Sequence, residues 1–363
     1  MPRSLFFKVP GGRPEMTAPA IQGNFNMLGN RRPRAMLRKT LLMLMIGTVA
    51  LMILGWGIHE GLFAGAATQT ETTNPRANFW RTVRDGQIGV TTVQGQERNV
   101  LIQNGGENWR RIRNGLVAGI SPWLLGVVFF AIMLFFLVHG PDKLEKAPSG
   151  ETFDRWSLPH RLLHWYTALL FILMGLTGLS MLFGRAVLIP VLGHSAFAGY
   201  MSVAIKIHNY GGPLFLAGLF IEIIAWFKPN IPKKIDFDWF KSMGGMMGKG
   251  PRPHAERING GSKAWFWFTV LAGLTVGITG LILDFPEFGQ SRWMMQVAHV
   301  IHASVAVVFI TGALGHIYLG SIGAQGTFEG MWRGKVSAQW AKQHNDLWYA
   351  ELIKSKSAES GPS

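Results

Sequence analysis

The sequence contains no cysteine, and charged residues make up only 15% of its 363 positions. Without cysteine the chain can form no disulfide, attach no c-type haem and hold no thiolate-bound iron–sulfur cluster. Any such cluster must belong to a partner. Soluble domains usually carry about 25% charged residues, whereas 48% of this sequence is hydrophobic. The composition therefore indicates a membrane protein.

Six apolar runs approach the roughly 20 residues that cross the hydrocarbon layer of a bilayer. They cover about residues 41–58, 123–138, 162–183, 205–227, 265–283 and 297–320. The last four predict a four-helix transmembrane bundle, and such bundles hold cofactors between their helices. The predicted fold class is thus an all-α integral membrane protein with an N-terminal extension that carries one or two further hydrophobic helices.

The net charge of +15 comes from basic residues that lie mainly between the apolar runs. The positive-inside rule explains this distribution better than a nucleic-acid-binding surface does. The connection 228–263 holds eight Lys and Arg, whereas the connections 184–204 and 284–296 hold one each. We therefore predict that residues 228–263 face the cytoplasm and that the two sparse connections lie outside.

The N-terminal third is predicted to contain a disordered basic arm and an external segment. Residues 1–40 are basic and lack a clear period. Residues 41–67 combine a positive start, an apolar stretch and the small-residue sequence AGA, which fits either a signal peptide or a first transmembrane helix. Residues 68–121 are polar, with β-like alternation in IGVTTVQGQERNVLIQ. We expect this segment to be periplasmic, because long loops translocate largely regardless of charge, and to pack on a partner.

The remaining segments follow from the alternation of the spans. They are a transmembrane helix at 122–138, a cytoplasmic loop at 139–161, the four-helix domain at 162–320 and a cytoplasmic tail at 321–363.

Histidines within the apolar runs suggest what the bundle binds. His302 and His316 are fourteen residues apart, so at about 100° per residue they share a helix face and lie about 21 Å apart along the axis. By the predicted directions of the helices, His208 matches the depth of His302, and His164 matches that of His316. Imidazole is a common axial ligand of haem. The two pairs therefore predict two bis-histidine haems, so we expect residues 162–320 to form a four-helix di-haem domain.

Other interpretations of these histidines remain open. A single membrane histidine can simply form a hydrogen bond to a neighbouring helix. His299 lies about 60° from His302 on the helix and is an alternative ligand. His160 lies beside Pro159 at the interface, where a hydrated histidine is unremarkable.

Glu222 is a second ionisable residue within a span, fourteen residues after His208 on the same helix face. It is a candidate proton relay to a site at inner depth. The alternative is a carboxyl group that extends to the nearby cytoplasmic interface.

The histidines lie in the stretches RLLHW (161–165), KIHNYGGPLF (206–215), VIHASVAVV (300–308) and GHIYLG (315–320), and the chain also contains ERINGGSKAWFW (256–267). The tail GMWRGKVSAQWAKQHNDLWY (330–349) is the most specific of these features. Through them the sequence resembles the cytochrome b (gamma) subunits of membrane-bound respiratory formate dehydrogenases. The resemblance covers about residues 153–352 and does not extend to residues 1–120.

The resemblance implies roles for several residues. In that family the positions that match His164, His208, His302 and His316 hold two b-type haems. The quinone site of the family matches Asn259, Gly261 and His316. An asparagine amide can donate to a quinone carbonyl, and a glycine allows the backbone to approach closely. Without the resemblance, NGG at 259–261 predicts only a turn.

The resemblance also implies partners and a location. Electrons would come from an iron–sulfur beta subunit on the periplasmic side, which is joined to a catalytic alpha subunit with molybdenum or tungsten. They would reduce a quinone, ubiquinone or menaquinone, near the cytoplasmic haem. The chain would be a multi-pass protein of the bacterial inner membrane and would carry out no formate chemistry itself.

Three other functions are compatible with the sequence. The first is a proton or solute transporter that uses the intramembrane His and Glu as a relay. The second is a cytochrome b subunit of another quinone-reducing complex, such as nickel–iron hydrogenase, although the tail and the Asn-x-Gly loop favour formate dehydrogenase. The third is a membrane anchor that carries no electrons.

Overall fold

The computed structural model describes residues 81, 85, 105–245 and 252–359, and the statements below concern these residues. The predicted disordered arm, the choice between a signal peptide and a first transmembrane helix, and the β-like alternation before residue 104 all lie outside them. Among the described residues, five helices are long and apolar enough to span a membrane. They are α1 (Gly105–His139), α2 (Leu158–Val187), α3 (Ile189–Trp226), α5 (Gly260–Asp284) and α6 (Arg292–Tyr318).

Shorter elements connect and follow these helices. They are the strands β1 (Thr152–Asp154) and β2 (Lys335–Ser337), the helices α4 (Lys234–Lys241), α7 (Thr327–Trp332), α8 (Ala338–His344) and α9 (Asp346–Glu359), the 3-10 turns Lys228–Asn230, Met243–Gly245 and Pro286–Phe288, and the π-helical turns Ile112–Val117, inside α1, and Leu319–Gly323.

Most apolar surface of the spans faces outward. Only 17% to 28% of the most apolar window of each span is buried within the chain. An outward-facing apolar surface requires lipid around it, because water would not tolerate so much exposed hydrocarbon. The chain is therefore a multi-pass all-α membrane protein, as the composition predicted.

Two helix boundaries differ from the prediction. α1 begins at Gly105, well before the predicted span at 122–138, because the polar sequence GGENWRRIRNG carries no apolar signal although it continues the helix. The connection 184–204, predicted as an external loop, is also mostly helical: α2 ends at Val187 and α3 begins at Ile189. The turn needs only Leu188, and α3 then bends at Gly193, whose φ of 75° favours glycine.

Helix packing brings the predicted histidine helices together. α2 packs along α3, α5 along α6, and α3 against α5, while α1 packs along α6. The centre of this bundle is aromatic: the rings of Phe171 and Phe215 have centroids 6.2 Å apart, and those of Phe171 and Phe309 are 4.7 Å apart. Phe309 lies seven residues from both His302 and His316. A packed aromatic layer therefore separates the two depths at which the histidines lie.

The tail forms a second, smaller core against the loops that precede α2 and α5. β1 pairs with β2 in antiparallel fashion, with Phe153 opposite Val336. Their core contains Trp340 and Trp348, and the nearly buried Arg155 lies over both indole rings. Burial, with Arg257 nearby, lowers the pKa of Arg155 to about 9. We refer to residues 142–156, 252–258 and 324–359 as the loop-side cap.

Candidate functional site

The four predicted histidines form two facing pairs inside the bundle. The ring centroids of His208 on α3 and His302 on α6 are 6.1 Å apart, with an interplanar angle of 74°. Those of His164 on α2 and His316 on α6 are 6.2 Å apart, at 54°. We call His208 and His302 the outer pair, and His164 and His316 the inner pair. The structure thus brings together the same partners that depth and helix face predicted.

The alternative ligand His299 points elsewhere. Its ring makes an edge contact with Trp109 of α1, at 5.4 Å between centroids. The buried Nδ1 of His299 and the buried Nε1 of Trp109 have no hydrogen-bond partner. His160, also considered above, bonds through Nδ1 to the Ser157 hydroxyl at 2.6 Å. Neither histidine faces another imidazole among the described residues.

Threonines of the neighbouring helices contact the outer pair. Thr177 Oγ1 of α2 lies 2.8 Å from Nδ1 of His208. Thr279 Oγ1 of α5 lies 3.1 Å from Nδ1 of His302, which also bonds to the Val276 carbonyl at 3.0 Å. Because both Nδ1 atoms are engaged, Nε2 is the ring nitrogen that each histidine can offer to a ligand.

The inner pair is surrounded differently. The ring of His316 stacks on Trp265 of α5, with centroids 4.5 Å apart and planes only 8° apart. Nδ1 of His164 is buried and has no partner. His164 also meets the edge of Trp165, which contacts Trp332 of α7. The inner pair is therefore held mainly by aromatic contacts that lead to the loop-side cap.

Glu222 lies beside the inner pair rather than extending away from the bundle. Its carboxyl group forms a hydrogen bond with the hydroxyl of Thr167 on α2. Thr167 Oγ1 also lies 2.8 Å from the Leu163 carbonyl and 3.2 Å from that of His164. The carboxyl group is thus connected through one hydroxyl to the backbone of an inner-pair histidine.

Asn259 and Gly261 organise the start of α5. Oδ1 of Asn259 accepts a hydrogen bond from the backbone N–H of Ser262 at 2.9 Å, so Asn259 is the N-cap of the helix. A Cβ on Gly261 would lie 2.4 Å from the ring of Trp239, so this glycine admits a tryptophan of α4. Asparagine at an N-cap and glycine at a close approach explain both residue types locally. The asparagine Nδ2 is not needed for the cap.

An apolar cavity of about 190 Å³ lies next to this turn. Its walls include Phe237, Phe240 and Trp267, together with Gly260. Lys263 and Asp236 also line it, and the buried Lys263 donates to Asp236 at 2.9 Å. The cavity and the buried ion pair therefore both lie at the start of α5. This is the end of α5 nearest the inner pair.

The loop-side cap fixes the residues that precede Asn259. Asn345, which has no exposed surface, donates through Nδ2 to the Glu256 carbonyl at 2.5 Å. Asp346 accepts from the backbone N–H of Ala255 at 2.9 Å. Arg252 makes a two-point ion pair with Asp142, at 2.9 and 2.6 Å. The most specific stretch of the tail thus acts by holding the 252–258 loop against the bundle.

Sequence reasoning did not identify Thr177, Thr279, Thr167 or Trp265. The two outer-pair threonines had a visible signal, since each lies in a Gly-x-Thr-Gly-Leu sequence. The stacking of Trp265 on His316 depends on the packing of α5 against α6 and has no counterpart in the sequence pattern.

Comparisons with known proteins agree with this architecture. Residues 155–334 match a family described as prokaryotic cytochrome b561. The chain is 32% identical over 213 residues to the formate dehydrogenase cytochrome b556 subunit of Haemophilus influenzae, covering 56% of this chain and 85% of that protein. It is 28% identical over 207 residues to the formate dehydrogenase cytochrome b556(fdo) subunit of Escherichia coli, covering 56% and 95%.

The nitrate-inducible formate dehydrogenase cytochrome b556(Fdn) subunit of Escherichia coli is 29% identical over 209 residues, which cover 55% of this chain and 93% of that protein. The family match begins at Arg155, so helix α1 lies outside it, whereas both histidine pairs lie within it. From these similarities and its transmembrane helices, the chain belongs to the family of formate dehydrogenase cytochrome b (gamma) subunits.

Proposed function

We propose that the chain is the electron-carrying subunit of a respiratory formate dehydrogenase in the bacterial inner membrane. Electrons from a periplasmic iron–sulfur subunit would cross the membrane through two b-type haems to quinone at the cytoplasmic side. The family supports electron transfer by a cytochrome b with b-type haem. The proposal of two haems rests on one observation: at each of two depths, two imidazoles face each other.

The spacing of the rings would allow each pair to hold one metal-centred group between its two imidazoles. Two imidazoles that share one metal ion at about 2 Å per metal–nitrogen bond have ring centres roughly 6 Å apart. The outer and inner pairs have centroids 6.1 and 6.2 Å apart. The outer Nδ1 atoms bond to threonine hydroxyls rather than to the facing imidazole. His208 and His302 would therefore hold one haem, and His164 and His316 the other.

The number of protein ligands favours a macrocycle over a bare ion. A structural metal ion usually takes four protein ligands, and the described residues contain no group of three or more His, Cys, Asp or Glu that could hold one. A haem brings most of its own ligands, so the two imidazoles of each pair would suffice to hold it. When bound, haem supplies one-electron redox chemistry, and the protein tunes it through the ligands and their neighbours.

We place quinone reduction near the inner pair, at Asn259, Gly261 and His316. Because the N-cap uses only Oδ1 of Asn259, the amide Nδ2 can donate to a quinone carbonyl. Gly261 contributes by admitting the Trp239 ring, which borders the turn. The aromatic cavity beside Gly260 borders the same turn. The quinone is ubiquinone or menaquinone.

Glu222 would supply protons to that site. A threonine hydroxyl has one hydrogen. If Thr167 donates it to a backbone carbonyl, Glu222 must be protonated and donate to Thr167; if not, Thr167 donates to the carboxylate. The hydrogen bond thus has two arrangements that differ by a proton. Such a group, beside the inner pair, is suited to proton transfer from the cytoplasm.

The names of the relatives support other formate dehydrogenase subunits as partners. We propose that these are an iron–sulfur beta subunit, which would deliver electrons near the outer pair, and an alpha subunit with molybdenum or tungsten, which would oxidise formate. This chain has no cysteine, so a cluster must come from such a partner.

The test is anaerobic reduction of the complex purified from membranes with its natural partners. We expect formate to produce a reduced b-type absorption band, and added quinone to remove it. Hydrogen in place of formate should leave the band oxidised. Reduction by hydrogen but not by formate would indicate a hydrogenase partner. A colourless preparation from haem-sufficient cells would contradict the cytochrome and favour a transporter.

A further inference from the structure

One short motif occurs twice in the bundle, 102 residues apart. Residues 174–179 read MGLTGL on α2, and residues 276–281 read VGITGL on α5. Glycines in transmembrane helices usually serve close packing. Packing alone gives no reason for a threonine at the same place in both copies, and the contacts of the two threonines supply one.

Thr177 accepts a hydrogen bond from His208. Its Oγ1 lies 2.7 Å from the Leu173 carbonyl and 2.8 Å from Nδ1 of His208. Since a hydroxyl has one hydrogen, Thr177 donates it to Leu173 and accepts the Nδ1 hydrogen of His208. The Met174 carbonyl also accepts from His208. Both acceptors belong to the first copy of the motif.

Thr279 repeats this arrangement at His302. Its Oγ1 lies 2.6 Å from the Thr275 carbonyl and 3.1 Å from Nδ1 of His302. The Val276 carbonyl lies 3.0 Å from the same nitrogen. A carbonyl can only accept, so Nδ1 of His302 carries the hydrogen and Nε2 keeps its lone pair. Val276 occupies the same place in the second copy as Met174 does in the first.

The glycine after each threonine completes the repeat. A Cβ on Gly178 would lie 3.3 Å from Cε1 of His208, and a Cβ on Gly280 would lie 3.3 Å from Cε1 of His302. This distance is tighter than ordinary van der Waals contact, so glycine leaves each ring the room to reach its threonine. The motif therefore provides both the acceptor and the space.

We propose that Thr177 and Thr279 are positioning residues that fix the ring orientation of the outer pair and lower the reduction potential of the haem it holds. This inference rests on the proposed function. An acceptor on Nδ1–H makes Nε2 a stronger donor, which stabilises ferric over ferrous iron. At the inner pair Nδ1 of His164 has no partner, so the tuning acts on the outer site. A lowered outer potential favours electron transfer toward the inner site.

The test uses the purified complex and the variants Thr177→Val and Thr279→Val, each with the corresponding serine variant. Valine keeps the shape and removes the acceptor, whereas serine keeps the hydroxyl. Thr311→Val is the matched control, because Thr311 is buried and donates to the Val307 carbonyl of its own helix at 2.7 Å rather than bonding to a histidine. The outer-site signal is the one that His208→Ala removes in redox titration and electron paramagnetic resonance.

We expect each valine variant to raise the potential of the outer site and alter its low-spin signal, while the inner site stays unchanged. Loss of a ligand's hydrogen-bond partner commonly changes metal affinity about tenfold or more. A tenfold change in the ferric-to-ferrous preference corresponds to about 59 mV for one electron. The serine variants should restore the wild-type potential and signal, and Thr311→Val should leave both sites unchanged.

Valine variants with a wild-type potential and signal at the outer site would overturn this inference. So would equal shifts at both sites, or the same shift in Thr311→Val. These outcomes differ from failure of the proposed function itself. If His208→Ala removed no haem signal from an otherwise folded complex, the outer pair would not be a haem site at all.

Discussion

The outer and inner histidine pairs have nearly the same ring spacing but different surroundings. Backbone and threonine oxygens of one repeated motif hold the outer rings through Nδ1. The inner rings contact tryptophans, and Nδ1 of His164 has no partner. Hydrogen bonds to Nδ1 fix the orientation of an imidazole ring and strengthen its Nε2 as an electron donor. Stacking on a tryptophan ring does not engage a ring nitrogen. Under the proposed function, the outer pair would be the tuned entry site for electrons and the inner pair would be the site nearest the quinone.

The position of the loop-side cap agrees with this difference. The cap approaches the inner pair through the contact of Trp165 with Trp332, and it holds the loop before Asn259. Helix α1, outside the family match, contacts the other end of α6 through Trp109 and His299. The two pairs therefore share one helix, α6, but have separate supporting structures.

The largest expected effect comes from removing ligands. Each alanine substitution of His164, His208, His302 or His316 should abolish the six-coordinate low-spin signal of one haem and leave that of the other, because one imidazole cannot maintain six-coordination. The two members of a pair should lose the same signal, as judged by spectra and haem content.

His299→Ala is the matched control for the ligand variants, since His299 is on the same helix but faces Trp109. It should retain both haems. If His299→Ala lost the signal that His208→Ala loses, while His302→Ala kept it, the assignment of the outer pair would be wrong.

A smaller effect is expected for Glu222→Gln. Glutamine keeps a hydrogen bond to Thr167 but cannot exchange a proton, so quinol formation should slow about a hundredfold, at the lower end of proton-transfer effects. Both haem spectra should stay intact. Glu287→Gln, in the exposed turn Pro286–Phe288, is the control. Unchanged turnover in Glu222→Gln, measured with formate and quinone, would remove Glu222 from the mechanism.

Replacement of Trp265 should affect the inner site alone. Trp265→Leu removes the stacked ring from His316, so the low-spin signal of the inner haem should broaden or shift as the imidazole gains freedom. Trp265→Phe keeps an aromatic face and should stay close to wild type. A shift at the outer site of similar size would show that the two surroundings are not independent.

Features of the fold and the site could be predicted from the sequence where they leave a pattern along the chain, and not where they depend on tertiary packing. Depth and helix face suffice to pair the histidines, because both follow from numbering and span direction. The start of α1 at Gly105 was missed, since the polar first turns of a helix that extends beyond the hydrocarbon have no apolar pattern. The stacking of Trp265 and the closing of the cap over Asn345 depend on tertiary packing and leave no periodic trace.

The smallest predicted effect concerns pH and the cap. Burial is the main cause that lowers the pKa of His344 to about 4; Arg252 and Arg155 act in the same direction, and Asp142 and Glu145 oppose them. In the undocked tail its pKa would be about 6.5. Undocked His344 therefore binds more protons below pH 6.5, so docking is most stable above that pH and weakens toward pH 4, by at most about 1.4 kcal/mol per pH unit.

Limited proteolysis of residues 327–359 at pH 7.5 and pH 5 measures this dependence. Cleavage should increase at pH 5 in the wild type and change less in His344→Gln, which cannot titrate. An identical pH dependence in both proteins would assign the effect to another group.

The most direct test of the whole account is a count of haem in the purified wild-type complex. Extracted b-type haem per chain, read together with the reduced-minus-oxidised spectrum, should give two low-spin haems for each copy of this subunit. A single haem, or none, in preparations from haem-sufficient cells would contradict the assignment of both histidine pairs as haem sites.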